Sequence, residues 1–597
     1  MKSSFKLLLT LSSALLLYAC QSTNQPADTD SLEEKSALKK ISLIQLNDLH
    51  AHLVSHNDFE FQNNQPVITK KGGLARIASA VKNLRAENPD SILMNIGDTF
   101  HGGVEAFYTS GNAITEPVNA LNIDIGVPGN WDFAYGPSVT RLRYTGQGRN
   151  PSAQEATQVN YPSLAANVSS TTRQDFLPAT HTMIVNGVNM GFIGITSDIV
   201  PRMFAGFAIG FDFLEGEQNY IDLINLYAQQ LRSNGADAVI VMSELGIHKD
   251  LTLADKINTQ SVDVFFSAHT HELTKEPLQS ASGAIIVEAG NDTFLGNMDL
   301  FFDTHNKLVD HQWSVLVMDS NVPEDAQMTA LVSAARADFL GPNVNITFPV
   351  PLVEQTLTQP IDTVIATTNL TLNRREALEN TFNSAFTQAL KQAAGTDVAI
   401  TPGFRYDSVI PAAGYLFEDN SIASGDITIE DAYRFFPISL YVAAGNVSGA
   451  RLKSVIEENL NAVFSTNRFE HSGGWFDGLA GVNLNLDLSQ SKNLRITNIA
   501  LSGSQQPILD EDTLSIAGCI RPTELDADNI ICGYDGFTNV SPLINPATDT
   551  PWTLVDFLID QLSRNQFTDT HHSNISDSNS TLMWPASEFV QPLDGAN

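Results

Sequence analysis

The feature that most constrains this chain is a set of short, apolar, β-branched runs that each end in polar residues. They lie between residues 41 and 272, separated by stretches with helical periodicity such as 74–85 and 220–234. Such runs are typical of buried strands in layered α/β folds. We therefore predict α/β layers here, with polar residues gathered beyond the strand ends. The runs are ISLIQLNDLH (41–50), SILMNIGDTF (91–100), GFIGITSD (191–198), DAVIVMSELG (237–246) and VDVFFSAHTHE (262–272).

The rest of the chain has a different organisation. A mixed region predicts a connecting helix with a proline-rich exit, and the part that follows alternates helix and strand patterns, which predicts a second, α+β domain. A chain of 597 residues is long enough for several domains. The predicted divisions are a leader (1–20), a tether (21–38), an α/β domain (39–320), a connecting segment (321–358) and an α+β domain (359–597).

The first twenty residues predict an export signal. Lys2 and Lys6 precede an apolar run from residue 7 to 17 that is too short to span a bilayer. The Ala19–Cys20 pair resembles a bacterial lipobox, which implies that Cys20 carries lipid after cleavage, and Gln21 then implies the outer membrane. An ordinary signal peptide with an incidental cysteine is the alternative. The polar, acidic residues that follow are typical of a tether.

Charge and cysteine content limit the partners of the exported chain. With 33 Lys and Arg against 67 Asp and Glu, the formal net charge is −34. Such a field repels nucleic acid polymers and anionic lipid surfaces, so an anionic substrate must be small and held by a local positive centre. In an exported protein the nearby pair Cys519 and Cys532 predicts a disulfide that closes a loop.

The polar residues after the predicted strands form a mixed set of metal ligands. Carboxylates, imidazoles and one amide oxygen together suit Mn, Zn, Fe or Co, whereas Ca²⁺ prefers an all-oxygen cage. A carboxylate such as Asp98 can bridge two ions, which leaves enough ligands for two sites about 3.5–4 Å apart. The candidate ligands are Asp48, His50, Asp98, Asn130, Glu244, His269 and His271.

Five short blocks carry a resemblance to a known superfamily. NDLHAHL (47–53), GDTFHGG (97–103), GNWDF (129–133), SELG (243–246) and AHTHE (268–272) resemble the blocks of calcineurin-like metallophosphoesterases. The second domain is similar to that of secreted bacterial 5′-nucleotidases. The resemblance implies a four-layer α/β/β/α first domain with two divalent ions. It implies that Asp48, His50, Asp98 and His271 bind one ion, and that Asp98, Asn130, Glu244 and His269 bind the other.

The chain departs from the nucleotidase pattern in two blocks. Glu244 stands where histidine is usual, and His248 is an alternative ligand. Trp131 and Ala134 stand where nucleotidases carry a His–Asp dyad that supports the leaving group. General acid help contributes roughly 10²–10⁴-fold, so hydrolysis is expected to be slow or to use another acid. His52 and His101 are the candidates for that acid, with ordinary loop polarity as the alternative.

Trp131 also points to a second branch of the superfamily. Together with TPGFRY (401–406) it resembles the SoxB-type thiosulfohydrolases, which remove sulfate from a persulfide on a carrier protein. Asn130, by contrast, keeps the nucleotidase-like ligand.

Resemblance to the nucleotidases also implies a substrate pocket in the second domain. It assigns Arg405 and Arg375 to the anion, and Arg405 is counted with Asn130 as catalytic. Ile438 aligns with the first base-stacking ring, and Phe436 just before it is the candidate substrate-binding ring. Core packing is the alternative for Phe436.

We therefore predict an enzyme, a di-metal hydrolase of phosphate monoesters similar to 5′-nucleotidases, at the bacterial cell envelope. Its expected substrate is a small anion of the nucleotide class, and membrane contact is expected only through a lipid anchor. The alternatives are a SoxB-like thiosulfohydrolase that acts on a sulfur carrier, and a lapsed enzyme that serves as a binding protein.

Overall fold

A computed structural model of the chain describes most of the sequence after the predicted leader and tether. Cys20 and Arg405 lie outside the described residues, so the lipid-anchor prediction and the main anion-binding prediction have no structural counterpart here. The described ranges are 38–62, 65–147, 158–171, 176–347, 355–375, 377–404, 409–438, 440–465, 467–472, 474–524, 529–564, 567 and 575–577.

The first half contains two large sheets and two small two-stranded sheets, which pair β2 with β3 and β6 with β9. The first large sheet has the strand order β15-β14-β1-β4-β5, and the second has the order β12-β13-β11-β10-β8-β7. The strands are β1 (Lys39–Asn47), β2 (His56–Gln62), β3 (Gln65–Lys71), β4 (Ser91–Ile96), β5 (Ile125–Val127), β6 (Val168–Ser170), β7 (Thr180–Val185), β8 (Val188–Ile195), β9 (Phe211–Phe213), β10 (Ala238–Ser243), β11 (Val264–Ser267), β12 (Leu278–Gln279), β13 (Ile285–Glu288), β14 (Phe294–Phe302) and β15 (Leu308–Val317).

The two sheets pack face to face. Leu43 and Met94 from the first sheet lie in one buried cluster with Ile240 and Phe266 from the second. The outer faces are covered by helices, which completes the predicted α/β/β/α layers. These helices are α1 (Leu74–Glu87), α2 (Val104–Thr109), α3 (Thr115–Ala120), α4 (Pro137–Thr145), α5 (Val200–Met203), α6 (Glu217–Ser233) and α7 (Ile247–Lys256).

All five predicted runs form strands, and they are central strands of the two sheets. Strands β1, β4 and β5 are parallel, as are β8, β10, β11 and β13. Their carboxyl ends therefore meet at one edge of the sandwich, where polar loops can converge. The helical predictions for 74–85 and 220–234 are confirmed by α1 and α6.

A helix joins the two halves, as the sequence predicts. It is α8 (Ala326–Leu340), and its buried Arg336 donates to Glu105 at 2.7 Å in the first half. The same guanidinium donates to Glu430 at 2.6 Å in the second half. One buried cation therefore ties three parts of the chain together.

The second half is an α+β domain. Its main sheet has the order β22-β19-β25-β21-β26. The strands are β16 (Ile346–Thr347), β17 (Thr356–Leu357), β18 (Val364–Thr367), β19 (Val398–Thr401), β20 (Asp426–Thr428), β21 (Tyr441–Ser448), β22 (Gly478–Ala480), β23 (Val482–Leu486), β24 (Ile496–Leu501), β25 (Thr513–Ile520), β26 (Thr538–Pro542), β27 (Ile544–Asn545), β28 (Thr550–Pro551) and β29 (Ile575–Asp577). The helices are α9 (Thr381–Ala394), α10 (Ile429–Phe435), α11 (Gly449–Phe464) and α12 (Leu554–Ser563).

The predicted pair Cys519 and Cys532 forms a disulfide at the end of β25. Within the described part of the chain, no helix is both long and apolar enough to cross a membrane.

Candidate metal centre

The seven predicted ligands converge at the shared edge of the two sheets. Asp48 and His50 follow β1, Asp98 follows β4, and Asn130 follows β5. From the second sheet, Glu244 follows β10, and His269 and His271 follow β11. Parallel strand ends thus bring together residues that are more than 200 positions apart in the sequence.

The backbone at this edge is held in an uncommon conformation. Asp48, His50, Asp98, His269 and His271 all have positive φ, between 44° and 79°. Few residues other than glycine adopt this region, and such strain clusters at functional sites. The loops are therefore shaped to aim these side chains inward.

The ligand atoms fall into two groups. In the first group, His271 Nε2 lies 3.1 Å from His50 Nε2 and 3.3 Å from Asp48 Oδ1. In the second group, Asp98, Glu244 and His269 each offer an atom within 4.8 Å of the others. Asp98 Oδ2 also lies 3.8 Å from His50 Nε2, so the carboxylate faces both groups. This is the arrangement that a bridging carboxylate requires.

The surrounding hydrogen bonds orient the ligands. The carbonyl of His101 lies 3.2 Å from His50 Nδ1, and because a carbonyl only accepts, His50 Nδ1 carries the proton. The lone pair of His50 Nε2 then faces the centre. Asp98 Oδ1 accepts from the amide of Trp131 at 2.7 Å, and Asp48 Oδ2 accepts from the amide of His269 at 2.9 Å.

Two ligand candidates have buried side-chain oxygens whose hydrogen-bonding capacity is not used by other described residues. Neither Glu244 carboxylate oxygen has a hydrogen bond among the described residues, and the same is true of Asn130 Oδ1. Buried polar atoms are nearly always hydrogen-bonded, because leaving them unpaired costs roughly 1–3 kcal/mol. Unpartnered oxygens that face carboxylates and imidazoles fit bound cations.

The electrostatics of the centre lead to the same conclusion. Burial, together with the nearby charges of Asp98 and Asp48, raises the pKa of Glu244 well above its ordinary value. Burial and the neighbouring His271 lower the pKa of His50 to about 4, so its imidazole is neutral, as a metal ligand must be. Buried carboxylates beside neutral imidazoles leave negative charge uncompensated. Bound cations would stabilise such a site.

The structure places Asp132, which the sequence analysis did not single out, as the organiser of two site loops. Its carboxylate accepts from the amides of Thr99 (3.1 Å), Phe100 (2.9 Å) and Gly129 (2.9 Å), and from the hydroxyl of Tyr144 at 2.7 Å. It thereby ties the loop after β4 to the loop after β5. Its place two residues after Asn130 was the available signal.

The other histidines considered in the sequence lie outside the two ligand groups. His248 packs edge-on against His471, with ring centroids 4.9 Å apart, so it is not placed as a substitute for Glu244. His52 is buried against Asp292 at 3.1 Å. His101 stacks on Trp131 at 4.7 Å.

Two predicted substrate residues of the second domain are placed elsewhere. Arg375 is buried and donates to the Asp58 carboxylate, and it lines neither cavity at the centre. Phe436 is fully buried and packs on Phe386 at 4.7 Å, so the core reading applies to it. The buried Asp58 needs a cation, and a fully buried phenylalanine that packs on other phenylalanines belongs to the core. Both substrate-binding assignments are thus corrected.

Residues of the second domain line a cavity at the metal centre together with the ligand candidates of the first domain. A cavity of about 260 Å³ is lined by ligand candidates and by Phe404, Trp475 and Asp477. Asp477 accepts from the amide of Gly403 at 3.0 Å and so fixes the segment before Arg405. Arg202 of the first domain also lines this cavity, with its side chain half exposed.

Comparison with known proteins matches both halves to families. Residues 41–273 match the calcineurin-like phosphoesterase family, and residues 356–518 match the 5′-nucleotidase C-terminal domain. A trifunctional nucleotide phosphoesterase of Bacillus subtilis is 23% identical over 530 residues, which cover 82% of this chain and 32% of that protein. The chain spans about a third of the length of the first curated relatives that it matches.

Two solved structures share the whole architecture. A 5′-nucleotidase precursor from Thermus thermophilus superposes with a TM-score of 0.72 at 18% identity, covering 91% of this chain and 100% of the other. The sulfate thiohydrolase SoxB of Thermus thermophilus gives a TM-score of 0.71 at 18% identity, with 91% and 98% covered. At such identities the likeness concerns the fold alone.

Proposed function

Because residues 41–273 match the calcineurin-like phosphoesterase family and residues 356–518 match the 5′-nucleotidase C-terminal domain, we propose that this chain is a metal-dependent hydrolase of phosphate monoesters. The observation that carries the proposal is the pair of ligand groups that face a common carboxylate, Asp98. The relatives include a trifunctional nucleotide phosphoesterase and a probable 5′-nucleotidase, so nucleotides are the first substrates to test.

The proposed ligand sets follow the two groups. Asp48, His50 and His271, with Asp98, hold one cation, and Asn130, Glu244 and His269, with Asp98, hold the other. Their mixed nitrogen and oxygen donors suit Mn, Zn, Fe or Co. When bound, two such ions supply Lewis acidity and a nucleophile at neutral pH.

The side chains of this chain then bind and orient the ester. Arg405 and Asn130 are proposed to act on the phosphoryl group, and the planar guanidinium of Arg405 suits a tetrahedral oxyanion. Arg202, which pairs with Asp198 at 3.3 Å, is a cation that lines the metal cavity. Trp131 lines the site, and its indole N–H, although a hydrogen-bond donor, is too weak an acid to protonate a leaving group.

A second candidate function rests on Trp131 and on the Pro402–Phe404 segment beside it, which resemble the SoxB branch. In that reading the same centre hydrolyses a sulfur oxyanion on a carrier protein. A third reading, a lapsed binding protein, is disfavoured by the unpartnered oxygens of Glu244 and Asn130.

We also propose the location and the domain limits on the sequence alone. The leader 1–20 and Cys20 support an exported lipoprotein of the outer membrane, tethered by residues 21–38. The metallophosphoesterase domain is taken as 39–320, the connecting segment as 321–358, and the substrate domain as 359–597.

The test is hydrolysis by the metal-reconstituted protein without residues 1–20. The substrates are AMP, UMP, a cyclic nucleotide, an aryl phosphate and a cysteine S-thiosulfonate peptide. Metal-dependent turnover of phosphate esters at roughly 1–10³ s⁻¹ supports the proposal. Silence on every phosphate with sulfate release from the peptide favours the sulfur branch. Silence on all substrates with two metals bound favours the lapsed enzyme.

A further inference from the structure

Asp477 is a buried carboxyl group that the second domain places at the metal cavity. It stands directly before β22, which pairs with the end of β19, so it lies beside the segment 402–404 that follows β19. The residue is 7% exposed, and it lines the cavity of about 260 Å³ together with Asp98, His269 and His271. One carboxyl group of the second domain therefore faces the same space as the ligand candidates.

Hydrogen bonds fix this carboxyl group in place. Its Oδ1 accepts from the amide of Gly403 at 3.0 Å, and its Oδ2 accepts from the hydroxyl of Tyr534 at 2.8 Å. The Asp477 amide donates to Asn459 Oδ1 at 2.8 Å. Gly403 also approaches Trp475 so closely that a side chain at 403 would collide with the Trp475 carbonyl oxygen. Each carboxyl oxygen has two lone-pair sites, so each keeps one that can hold a proton.

The groups around Asp477 allow it to carry a proton. Its bonding partners are an amide and a phenol, and burial together with Asp477 raises the pKa of Tyr534 well above its ordinary value, so this partner stays neutral. Burial raises the pKa of Asp477 to about 6, although the bonds from Tyr534 and Gly403 lower it. An anionic ester in the cavity would repel a carboxylate and so favours the protonated form further. The other titratable side chains that line this cavity are Arg202 from α5 and the ligand candidates His50, Asp98, His269 and His271.

The two histidines that the sequence offered as acids are placed differently. His52 bonds to Asp292, His101 stacks on Trp131, and neither histidine lines the metal cavity. Among the described residues of the second domain that line it, Asp477 alone carries a carboxyl group.

We infer that Asp477 is the general acid of this enzyme and gives a proton to the leaving oxygen of the ester. The inference rests on the proposed phosphatase function. In the reaction, a water oxygen forms a bond to phosphorus and releases one proton to solvent, while the bond from phosphorus to the ester oxygen breaks. The ester oxygen keeps the electron pair of that bond, takes the Asp477 proton and leaves as an alcohol. The Asp477 carboxylate then regains a proton from solvent.

The first experiment measures kcat/KM of the metal-loaded protein on two esters whose leaving groups differ in acidity. Asp477→Asn keeps an oxygen that accepts from Gly403 but has no acidic proton, so kcat/KM for AMP should fall about 10²-fold. The value for 2,4-dinitrophenyl phosphate should change less than about threefold, because its phenolate leaves without a proton. Equal losses on the two esters would show a merely structural role and overturn the inference.

The matched control is Asp431→Asn. Asp431 also belongs to the second domain and accepts from one amide and one hydroxyl, both of Thr428, at 2.8 Å and 2.7 Å, but it lines neither this cavity nor the larger one beside it. Burial raises the pKa of Asp431 as well. Its ratio of AMP to dinitrophenyl phosphate hydrolysis should equal the wild-type ratio. A fall as large as that in Asp477→Asn would remove the assignment to Asp477.

Tyr534→Phe provides a pH readout that a structural role would not move. Wild-type kcat/KM for AMP should fall above about pH 6, because the acid form of Asp477 is lost there. The Tyr534 hydroxyl stabilises the carboxylate, so its removal should raise the pKa of Asp477 and move this fall upward by about one pH unit. Dinitrophenyl phosphate should show no such shift. A fall that stays at the same pH for AMP contradicts the inference.

Infrared difference spectra of the metal-free protein test the protonation without turnover. The spectrum of the wild type minus that of Asp477→Asn should contain the carbonyl band of a protonated carboxyl group. This band should vanish as pH rises through about 6. Its absence at about pH 5 would mean that Asp477 is ionised where an acid is required, which overturns the inference.

The outcomes separate this inference from the function beneath it. If the wild type hydrolyses both esters and Asp477→Asn lowers both rates equally, the inference is overturned and the phosphatase function stands. If the wild type hydrolyses neither ester, the proposed function itself fails, and the inference fails with it. If Asp477→Asn does not fold, the pH dependence of Tyr534→Phe decides.

Discussion

Two buried clusters of histidine and aspartate lie side by side in the first domain, and they differ in one respect. The metal centre and the cluster of His52, His56 and Asp292 each bring three ligand-type atoms within 4.8 Å. In the second cluster, Asp292 Oδ1 lies 3.1 Å from His52 Nδ1 and Oδ2 lies 2.9 Å from His56 Nε2. Both carboxylate oxygens are satisfied there, whereas Glu244 has two that are not.

The pKa shifts of the two carboxylates differ in the same way as their hydrogen bonds. Burial alone would raise the pKa of Asp292, but His56 and His52 outweigh it and hold that pKa far below its usual value. The cluster is thus neutralised by its own members, and Gly72 makes room for it, because a side chain there would collide with Asp292. Glu244 lies among like charges instead, because burial beside Asp98 and Asp48 raises its pKa and His269 Nδ1 lies 3.6 Å from its Oε2, beyond hydrogen-bond distance. Histidines and carboxylates that lie close together are therefore insufficient evidence for a metal. The metal centre differs from the cluster of His52, His56 and Asp292 in that some of its carboxylate oxygens have no hydrogen bond.

The sharpest test of the metal centre is Asp98→Asn. The carboxylate faces both ligand groups, so its loss should remove at least one bound ion and lower kcat/KM by about 10³-fold. Metal content by plasma mass spectrometry and steady-state rates on the best phosphate ester measure this. Unchanged metal content together with unchanged activity would show that no di-metal site is built around Asp98.

Glu244→Gln tests the group with the unpartnered oxygens. We expect affinity for one of the two ions to fall about 10²-fold, toward the upper range for changes around metal ligands. The matched control is Glu288→Gln, because Glu288 is equally buried but accepts from Thr270 at 2.6 Å and from the Glu272 amide at 3.0 Å. A competitive chelator titration measures both. Equal losses in the two variants would remove the distinction between satisfied and unsatisfied carboxylates.

Asp292→Asn tests the cluster of His52, His56 and Asp292, in which both carboxylate oxygens are bound by the two histidines. Breaking a buried charge pair by removing one partner costs about 3 kcal/mol, so the free energy of unfolding should fall by that amount. Metal stoichiometry should stay at the wild-type value, because this cluster is held by its own hydrogen bonds. Urea unfolding and metal analysis check both expectations. Loss of an ion in this variant would mean that the cluster is a third metal site.

The same comparison explains what could be predicted from the sequence. The metal ligands follow apolar runs that form parallel strands, and parallel strands bring their carboxyl ends to one edge, so pattern and topology together were sufficient. The bonds of His52 to Asp292 were not predictable, because they join loops 240 residues apart that no strand register connects. Asp132 was missed for a similar reason, since only the fold shows which amides its carboxylate reaches.

The second domain shows where alignment of single residues fails. Arg375 and Phe436 were matched to a substrate pocket by their neighbours in the sequence. Arg375 instead pairs with Asp58, and Phe436 packs behind a helix with Phe382 and Phe386. A one-residue shift turns a side chain from pocket to core, and sequence pattern cannot fix that register. Ile438, two residues later, lines a cavity of about 430 Å³ that Trp131 and Phe404 also line.

Asp250→Asn examines a third kind of buried carboxylate, one held by hydroxyl groups. Ser243 and Ser267 donate to it at 2.7 Å and 2.5 Å, yet burial still raises the pKa of Asp250 to about 7. An acid whose pKa is raised by folding binds its proton more tightly in the folded state, so it costs stability as pH rises from about 4 to 7. Asn removes that cost, and we expect Tm at pH 8 to rise by roughly 3 °C with little gain at pH 4. Calorimetry at both pH values measures it, with Asp255→Asn, exposed on the same helix, as the control. A variant that gains nothing at pH 8 would show that two hydroxyl donors satisfy a buried carboxylate as fully as the two histidines satisfy Asp292.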